Sequence, residues 1–402
     1  MKTLNLTVVA LVIAVASSAN AQYYPGAMSV SQQPYPQMAQ AQYLMNPYSG
    51  IAGQVQPASY CDAGCDVGCG PGGCGLLGGS GGYDSQMFGA QHGPNGTGSC
   101  CLPRWFDVQA EWLFWDRDFG DDTLAVSSDN RLGPTVLSTD DLEIKEESGF
   151  RVTGAYLVAP ATAIEASYFG GFNWSSVAFA FSPAPNNQLF SVFSGFGTNP
   201  FNGFADTAPG AAHSLAFSSA LDNGELNVRK RFVSANCIVH SSAMVGVRYL
   251  RVAEELVFNT AAPNGFLNYE VQTDNDLVGA QIGGDMMICI SPRFKIGGDI
   301  DAGIYGTNSS QRTNAVFGGG ALAELERAND VAFVSEAGLN GVFQVTPRLN
   351  LRAGYQVLYV TGVATAIENF NTESPFAARN AFINNNGDLF YHGASLGFEF
   401  TW

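Results

Sequence analysis

Charge is what this sequence has least of. Charged residues fill 13% of its 402 positions, against roughly a quarter in ordinary soluble domains, and only four of them are lysine. With so few cations and a net charge of −17, nucleic acid is excluded as a partner, because neutralising phosphates needs Lys and Arg. After the first twenty-one residues no run of eighteen apolar residues occurs, so no transmembrane helix is available. Histidine is equally scarce. His92 falls in a glycine-rich linker, His213 in a long loop, His240 beside a turn and His392 on an apolar strand row. None has an Asp and a Ser beside it on a shared face, so a nucleophilic triad has no anchor and no catalytic residue is expected. The cysteines form no C-x-x-C pair and have no helpful histidine. Zinc and cluster binding are therefore unsupported, and no metal or cofactor is expected.

The chain opens with a positive Lys2, an apolar stretch from Leu4 to Val15 and Ala19-Asn20-Ala21. This pattern predicts a signal peptide over 1–21, cleaved after Ala21, and hence export. Residues 22–60 are Gln, Pro, Tyr, Met and Ala without periodicity, and are expected to form a disordered tether. Residues 61–102 are a Cys/Gly-rich linker holding Cys61, Cys65, Cys69, Cys74, Cys100 and Cys101. In an oxidising exported compartment disulfides are the default. Two readings stand: an internally tied knot, or cross-links to cell-envelope proteins. Cys237 and Cys289 fall at turn ends of neighbouring hairpins, where a disulfide between them competes with two separate small apolar side chains.

From about Pro103 to Trp402 the chain alternates apolar and polar residues over stretches of about ten. The last stretch reads LFYHGASLGFEFTW. Ala394, Leu396, Phe398, Phe400 and Trp402 share one strand face; Tyr391, Gly393, Ser395, Gly397, Glu399 and Thr401 share the other. The first, WFDVQAEWLFWD, sorts Phe106, Val108, Ala110, Trp112 and Phe114 from Asp107, Gln109, Glu111, Leu113 and Trp115. An apolar row, a polar row and interfacial aromatics such as Trp112, Phe398, Phe400 and Trp402 predict a transmembrane antiparallel up-and-down β-barrel; the alternative is a soluble all-β sandwich. Ten strands are expected, or twelve if the long second loop hides a hairpin. The connections alternate long and short, with proline turns at Ala159–Ala161, Ser291–Arg293 and Thr346–Arg348 on the short side. That sorting predicts long extracellular loops, including a medium loop near Thr260–Gly265 and a long one to about Asn329, and short periplasmic turns. It also predicts a periplasmic N-terminus.

The stretches Trp105–Arg117, Val245–Leu256, Thr273–Asp285, Leu351–Ala364 and Tyr391–Trp402 resemble, in order, the beta-barrel porin 7 family, a group of predicted bacterial outer-membrane proteins. The resemblance spans roughly 105–402. It implies an outer-membrane barrel surrounded by lipid, and it supplies no substrate and no site residue.

With the apolar row facing lipid, the lumen receives Asp107, Glu111, Arg151, Glu165, Glu225, Arg229, Arg231, Arg248, Asp285, Lys295, Asp299, Asp301, Glu336, Arg352 and Glu399. Lys230 falls on the wrong face, which predicts either a bulge or a side chain snorkelling from an interface. A ten-stranded bore is narrow, so the five arginines are expected to pair with Glu111, Glu165, Asp299, Glu336 and Glu399, since unpaired buried charge is too costly. Inward glycines either relieve crowding or permit curvature. The acidic first loop, from Asp118 to Glu147, reads as a solvated face more readily than as a Ca²⁺ site. Two functions compete. One is porin-like passive passage of small solutes through a charge-lined lumen. The other is a structural, anchoring barrel with a plugged lumen, extracellular contact loops and cysteine cross-links. The closing strand would be the element that the barrel-assembly machinery reads.

Overall fold

The computed structural model describes residues 106–118, 123–159, 161–182, 188–198, 209–233, 238–263, 265–373 and 379–401. The expected signal peptide, the tether, the Cys/Gly-rich linker with its six cysteines, Cys237 and Trp402 lie outside them.

Ten strands close into one antiparallel barrel. In chain order they are β1 (Phe106–Asp118), β4 (Glu147–Ala159), β5 (Thr162–Phe181), β7 (Ala212–Val233), β8 (Val239–Ala262), β9 (Gly265–Ser291), β10 (Phe294–Phe317), β11 (Gly320–Thr346), β12 (Leu349–Val363) and β13 (Gly387–Thr401). Each pairs with its sequence neighbour in the barrel, and β1 pairs with β13, Asp107 opposite Thr401 through Asp118 opposite Phe390. The remaining strands, β2 (Ala125–Asp129), β3 (Thr135–Ser138) and β6 (Leu189–Ser191), form a separate three-stranded sheet. The second long loop therefore supplies β6 to that small sheet and adds no barrel hairpin among the described residues.

Side-chain alternation places the membrane. On β9, Val278, Ile282 and Met286 point outward and are 44–68% exposed. The outward apolar stretch from Val278 to Ile288 has the length a tilted membrane strand needs, about 9–11 residues. At its upper edge three outward tyrosines each reach a carboxylate on the next strand: Tyr168 to Asp222 at 2.8 Å, Tyr249 to Asp276 at 2.6 Å and Tyr359 to Asp388 at 2.9 Å. The geometry is the same each time. The Tyr is opposite Gly224, Val278 or Phe390, and the Asp lies two residues further from the turn end. This girdle marks where lipid-facing residues give way to water-facing ones. Lys230 points outward at the turn end with its ammonium 5.9 Å from the Phe232 ring. Pairing with β8 runs unbroken through it, and on the β5 side it closes the ladder opposite Thr162 with no register shift nearby, so it snorkels and no bulge is involved.

Above the girdle the alternation inverts. Outward positions on β9 become Glu270, Gln272, Asp274 and Asp276, while inward Leu267, Tyr269 and Val271 are fully buried. Two expected loops are strand instead. β8 and β9 stay paired up to Ala262 and Gly265, and β10 and β11 up to Phe317 and Gly320, so the loops near Thr260–Gly265 and out to Asn329 are tight turns on extended hairpins. At about 3.3 Å per residue and a tilt of about 40°, these hairpins rise roughly 30 Å above the girdle. His213, expected in a loop, lies on β7. The hairpins form a curved wall on one side of the barrel, from β5 to β11. Its inner face encloses a second hydrophobic core with the small sheet and two long loops: Val126, Leu137, Leu189, Phe193, Phe217, Phe258 and Phe370 are its centre. The first long loop is thus more than an acidic solvated face, since Val126, Leu137 and Leu142 are buried in this core.

Candidate functional site

The lumen at membrane level is the candidate site, and inward parity puts every expected lumen charge on its wall. Arg151 Nη2 meets Glu336 Oε1 at 2.5 Å, and Arg248 Nη2 meets Glu336 Oε2 at 2.7 Å and Glu225 Oε1 at 3.3 Å. Arg229 grips Glu165 through Nε at 3.0 Å and Asp285 through Nη1 at 2.6 Å. Arg352 lies 3.4 Å from Glu111 and 3.7 Å from Glu399. Arg231 pairs with Asp107 at 3.2 Å. One expected partner differs: Asp299 has no arginine and instead accepts a hydrogen bond from Asn340 Nδ2. Asp301, beside it on β10, stands in no ion pair among the described residues. The chains of pairs run between strands far apart in sequence, so they brace the bore across its diameter. Aromatic faces support them from above, with the Arg151 and Arg248 guanidinium carbons 4.9 and 5.7 Å from the Phe169 ring centre.

Below and among these charges lies a polar cavity, open to solvent at the turn end, with Lys295, Pro347 and Thr401 on its lining. Several inward glycines let polar side chains lie flat against its wall. A Cβ on Gly338 would meet the Asp299 carboxylate at 2.9 Å, and one on Gly397 would meet Glu111 Cγ at 2.6 Å.

Above the charges the bore ends. Leu113, Trp115, Trp174, Leu250, Leu277 and Tyr391 reach in from β1, β5, β8, β9 and β13, each 0% exposed. Trp115 stacks on Phe172 at 5.2 Å, Phe172 on Trp174 at 4.8 Å, and Trp174 meets Tyr391 at 5.1 Å. The layer depends on a bulge. Pairing of β5 with β7 jumps from Phe169–Asn223 to Phe172–Leu221 across Gly170 and Gly171, and Gly171 has φ +86°. The one extra residue, two glycines standing against Asp222 alone, reverses parity, so Phe169 and Phe172 both face inward. Gly149 makes room for the second ring, since a Cβ there would lie 2.6 Å from Phe172.

A second glycine bulge, Gly362 at φ +84°, turns β12 into the lumen and delivers the loop after it. Asn275 clamps that loop by donating to Ala364 O and accepting from Ala364 N–H, both at 2.8 Å. Glu254 accepts from Ala366 N–H at 2.9 Å and is ion-paired with Arg117; both side chains are buried. Higher up, Arg379 bridges Glu324 at 2.8 Å and Asn371 O at 2.6 Å. Burial pushes the neighbouring Tyr269 phenol up, against the pull of Arg379. These residues escape sequence reading because their neighbourhood inverts the membrane pattern that sorts the rest. So does a buried pair, Ser127 Oγ and His213 Nδ1 at 2.7 Å, which packs under Phe258 in the upper core. Trp112, Phe398 and Phe400 point to lipid and are 56%, 39% and 39% exposed.

No known protein family matches the chain, and no curated protein does. Solved structures similar to it include the outer membrane protease OmpT from Escherichia coli, at 12% identity over 75% of this chain and 98% of that one, TM-score 0.42. The translocator domain of the autotransporter NalP from Neisseria meningitidis is 10% identical over 75% of this chain and 90% of that one, TM-score 0.32. A major outer membrane protein from Thermus thermophilus is 10% identical over 75% of this chain and all of that one, TM-score 0.29. Similarity this low does not bear on activity. The resemblance to the porin 7 family thus reduces to its coarser content, a transmembrane β-barrel of the outer-membrane type, which the chain's own closed barrel and lipid-facing belt establish.

Proposed function

We propose that this protein is an outer-membrane anchor with a closed lumen, rooting a folded extracellular tier in the membrane rather than passing solutes. One observation carries the reading: Trp115, Phe172, Trp174 and Tyr391, drawn from opposite parts of the chain, meet inside the barrel in one buried cluster, each at most 3% exposed, where a pore needs a continuous polar path. The occlusion is built from barrel strands, so withdrawing the Asn275-clamped loop would not open the bore. The charge network then acts as bracing. Outer-membrane residence, export by a cleaved signal peptide and delivery to the assembly machinery through β13 belong to the same proposal. β1 begins at the turn end, which supports a periplasmic N-terminus, and cross-linking of its cysteines to the envelope belongs to the same proposal. The polar cavity at the turn end favours the rival reading, passive passage through a charge-lined pore. Planar-bilayer recording separates them. The refolded full-length chain, its folding proven by a heat-shifted gel band, should insert and stay silent. Steady ohmic steps would overturn closure and restore the pore.

A further inference from the structure

We infer that the free edge of β5 above the girdle pairs with an extended strand of another protein, apolar at alternate positions and basic at its ends; its placement outside the cell rests on the anchor reading above. β4 stops pairing with β5 at Phe150–Gly170, so from Phe172 to Phe181 β5 has a strand on one side only, β7. Ser182 N–H donates to Ala211 O at 2.9 Å, which puts the even residues above the bulge on the β7 ladder. The N–H and C=O groups of Asn173, Ser175, Val177, Phe179 and Phe181 therefore point away from the sheet. Among the described residues no backbone group bonds to them.

An unpaired edge is a hazard that proteins blunt with charge or proline. The wall's other free edge is blunted: β12 leaves β11 at Phe333, and above that β11 carries Glu324, Glu326, Arg327 and Asp330. Between Phe172 and Phe181, β5 carries no charge and no proline. Its outward row is apolar and increasingly bare, with Val177 54%, Phe179 60% and Phe181 72% exposed and the last two rings stacked at 6.0 Å. Their cross-strand neighbours on β7, Ala216, Ser214 and Ala212, are too small to cover them. Strand addition uses such a site, main-chain groups giving affinity and alternate side-chain positions giving selectivity. At the upper end a cleft lined by Val136, Ala180, Phe181 and Leu189, with Asp129 beside them, can take one apolar side chain and a neighbouring cation.

Charge sets the partner's chemistry. The first long loop flanks the edge: its β3 lies against β5, and it enters β4 at Glu147, near where the β4–β5 ladder stops. That loop sets Asp129, Asp140, Asp141, Glu143, Glu146 and Glu147 against Arg131 and Lys145, which favours a basic strand over an acidic one. A second copy fits less well. Two copies in one membrane raise β5 in the same direction, whereas an antiparallel ladder between identical edges needs opposed ones.

The test is a fluorescence-anisotropy titration of the refolded full-length protein in detergent against a labelled, end-capped peptide of alternating Thr and Val with a Lys at each end. Saturable one-to-one binding is expected. A proline at the peptide's centre should weaken it at least tenfold, and Glu in place of both Lys several-fold, a gap that narrows with added salt. On the protein, V177P deletes a free-edge N–H without touching the β7 ladder, and should weaken binding at least tenfold with the gel shift unchanged. F179K puts a charge on an exposed edge position and should weaken binding several-fold; it decides the matter if the proline variant loses its gel shift. Absence of saturable binding to the folded wild type, or binding indifferent to both variants, would overturn the inference. So would a wild-type dimer in detergent that V177P makes monomeric, which would give the edge to a second copy. Conductance reports separately: ohmic steps with peptide binding intact would refute closure and leave the edge site standing.

Discussion

Replacing Glu336 with glutamine is the sharpest probe of the bracing network. Its carboxylate is 4% exposed and shared by Arg151 at 2.5 Å and Arg248 at 2.7 Å. The substitution keeps shape and removes charge, leaving one guanidinium with no ion pair and another leaning on Glu225 at 3.3 Å. Breaking a buried pair costs about 3–5 kcal/mol. Because Glu225 and the Phe169 ring retain part of the hold, the lower end, about 3 kcal/mol, is expected. Urea unfolding in detergent micelles, followed by tryptophan fluorescence and by the gel shift, would measure it. Adding R151M removes the stranded charge and should recover about 1 kcal/mol or more, appearing as a coupling energy in the double-mutant cycle. The outer-surface pair Arg251–Asp274, 51% and 46% exposed, is the control; R251A should cost no more than about 0.5 kcal/mol. A Glu336→Gln barrel within about 1 kcal/mol of wild type would refute the reasoning. The cavity would then be wet enough to solvate both arginines.

Three other outcomes test the upper half. A valine at Gly149 would drive into the Phe172 ring and should destabilise by about 1–3 kcal/mol, read by the same unfolding assay; unchanged stability would mean the aromatic layer is not packed as described. Asn275→Ala removes both bonds to Ala364, worth roughly 2–3 kcal/mol together. Proteolysis between Thr365 and Asn386 should accelerate while the gel shift stays, and equal cleavage rates would show that Asn275 does not hold the loop. The third concerns pH. Burial, and then the neighbouring Glu255 carboxylate, raise the Glu270 carboxyl above its ordinary value. The folded form therefore binds the proton more tightly than the unfolded one. Its penalty is present at neutral pH and relieved as pH falls through the raised value. E255Q should stabilise the upper hairpins by a few tenths of a kcal/mol at about pH 7 and by less at about pH 4, since the pair is largely solvent-screened. Hydrogen exchange at Val257 and Glu270 would report it, and a larger gain at acid pH would contradict the assignment.

Within the membrane the sequence by itself was enough to sort faces. Arg151, Arg229, Arg248, Glu336 and Arg352 could be placed in the lumen, and Trp112, Phe398 and Phe400 on lipid, because a strand's period of two meets two very different solvents there. The ten strands were legible for the same reason. Above the girdle that contrast reverses. Tyr269 and Phe258 point inward and Asp274 outward, so stretches that are strand read as polar loops, and the height of the hairpins stayed hidden. Partner choice was only partly legible: Glu111, Glu165, Glu336 and Glu399 could be anticipated as arginine partners without saying which arginine each would take, whereas Asp299 took Asn340. Whether the lumen is open was beyond the sequence altogether. That turns on the parity reversal at Gly170–Gly171, which swings Phe172 and Trp174 inward, and on Trp115 and Tyr391 arriving from strands over two hundred residues apart to meet them. Face is set locally, by alternation along one strand; closure is set by which side chains meet across the barrel, and only the folded chain brings those together.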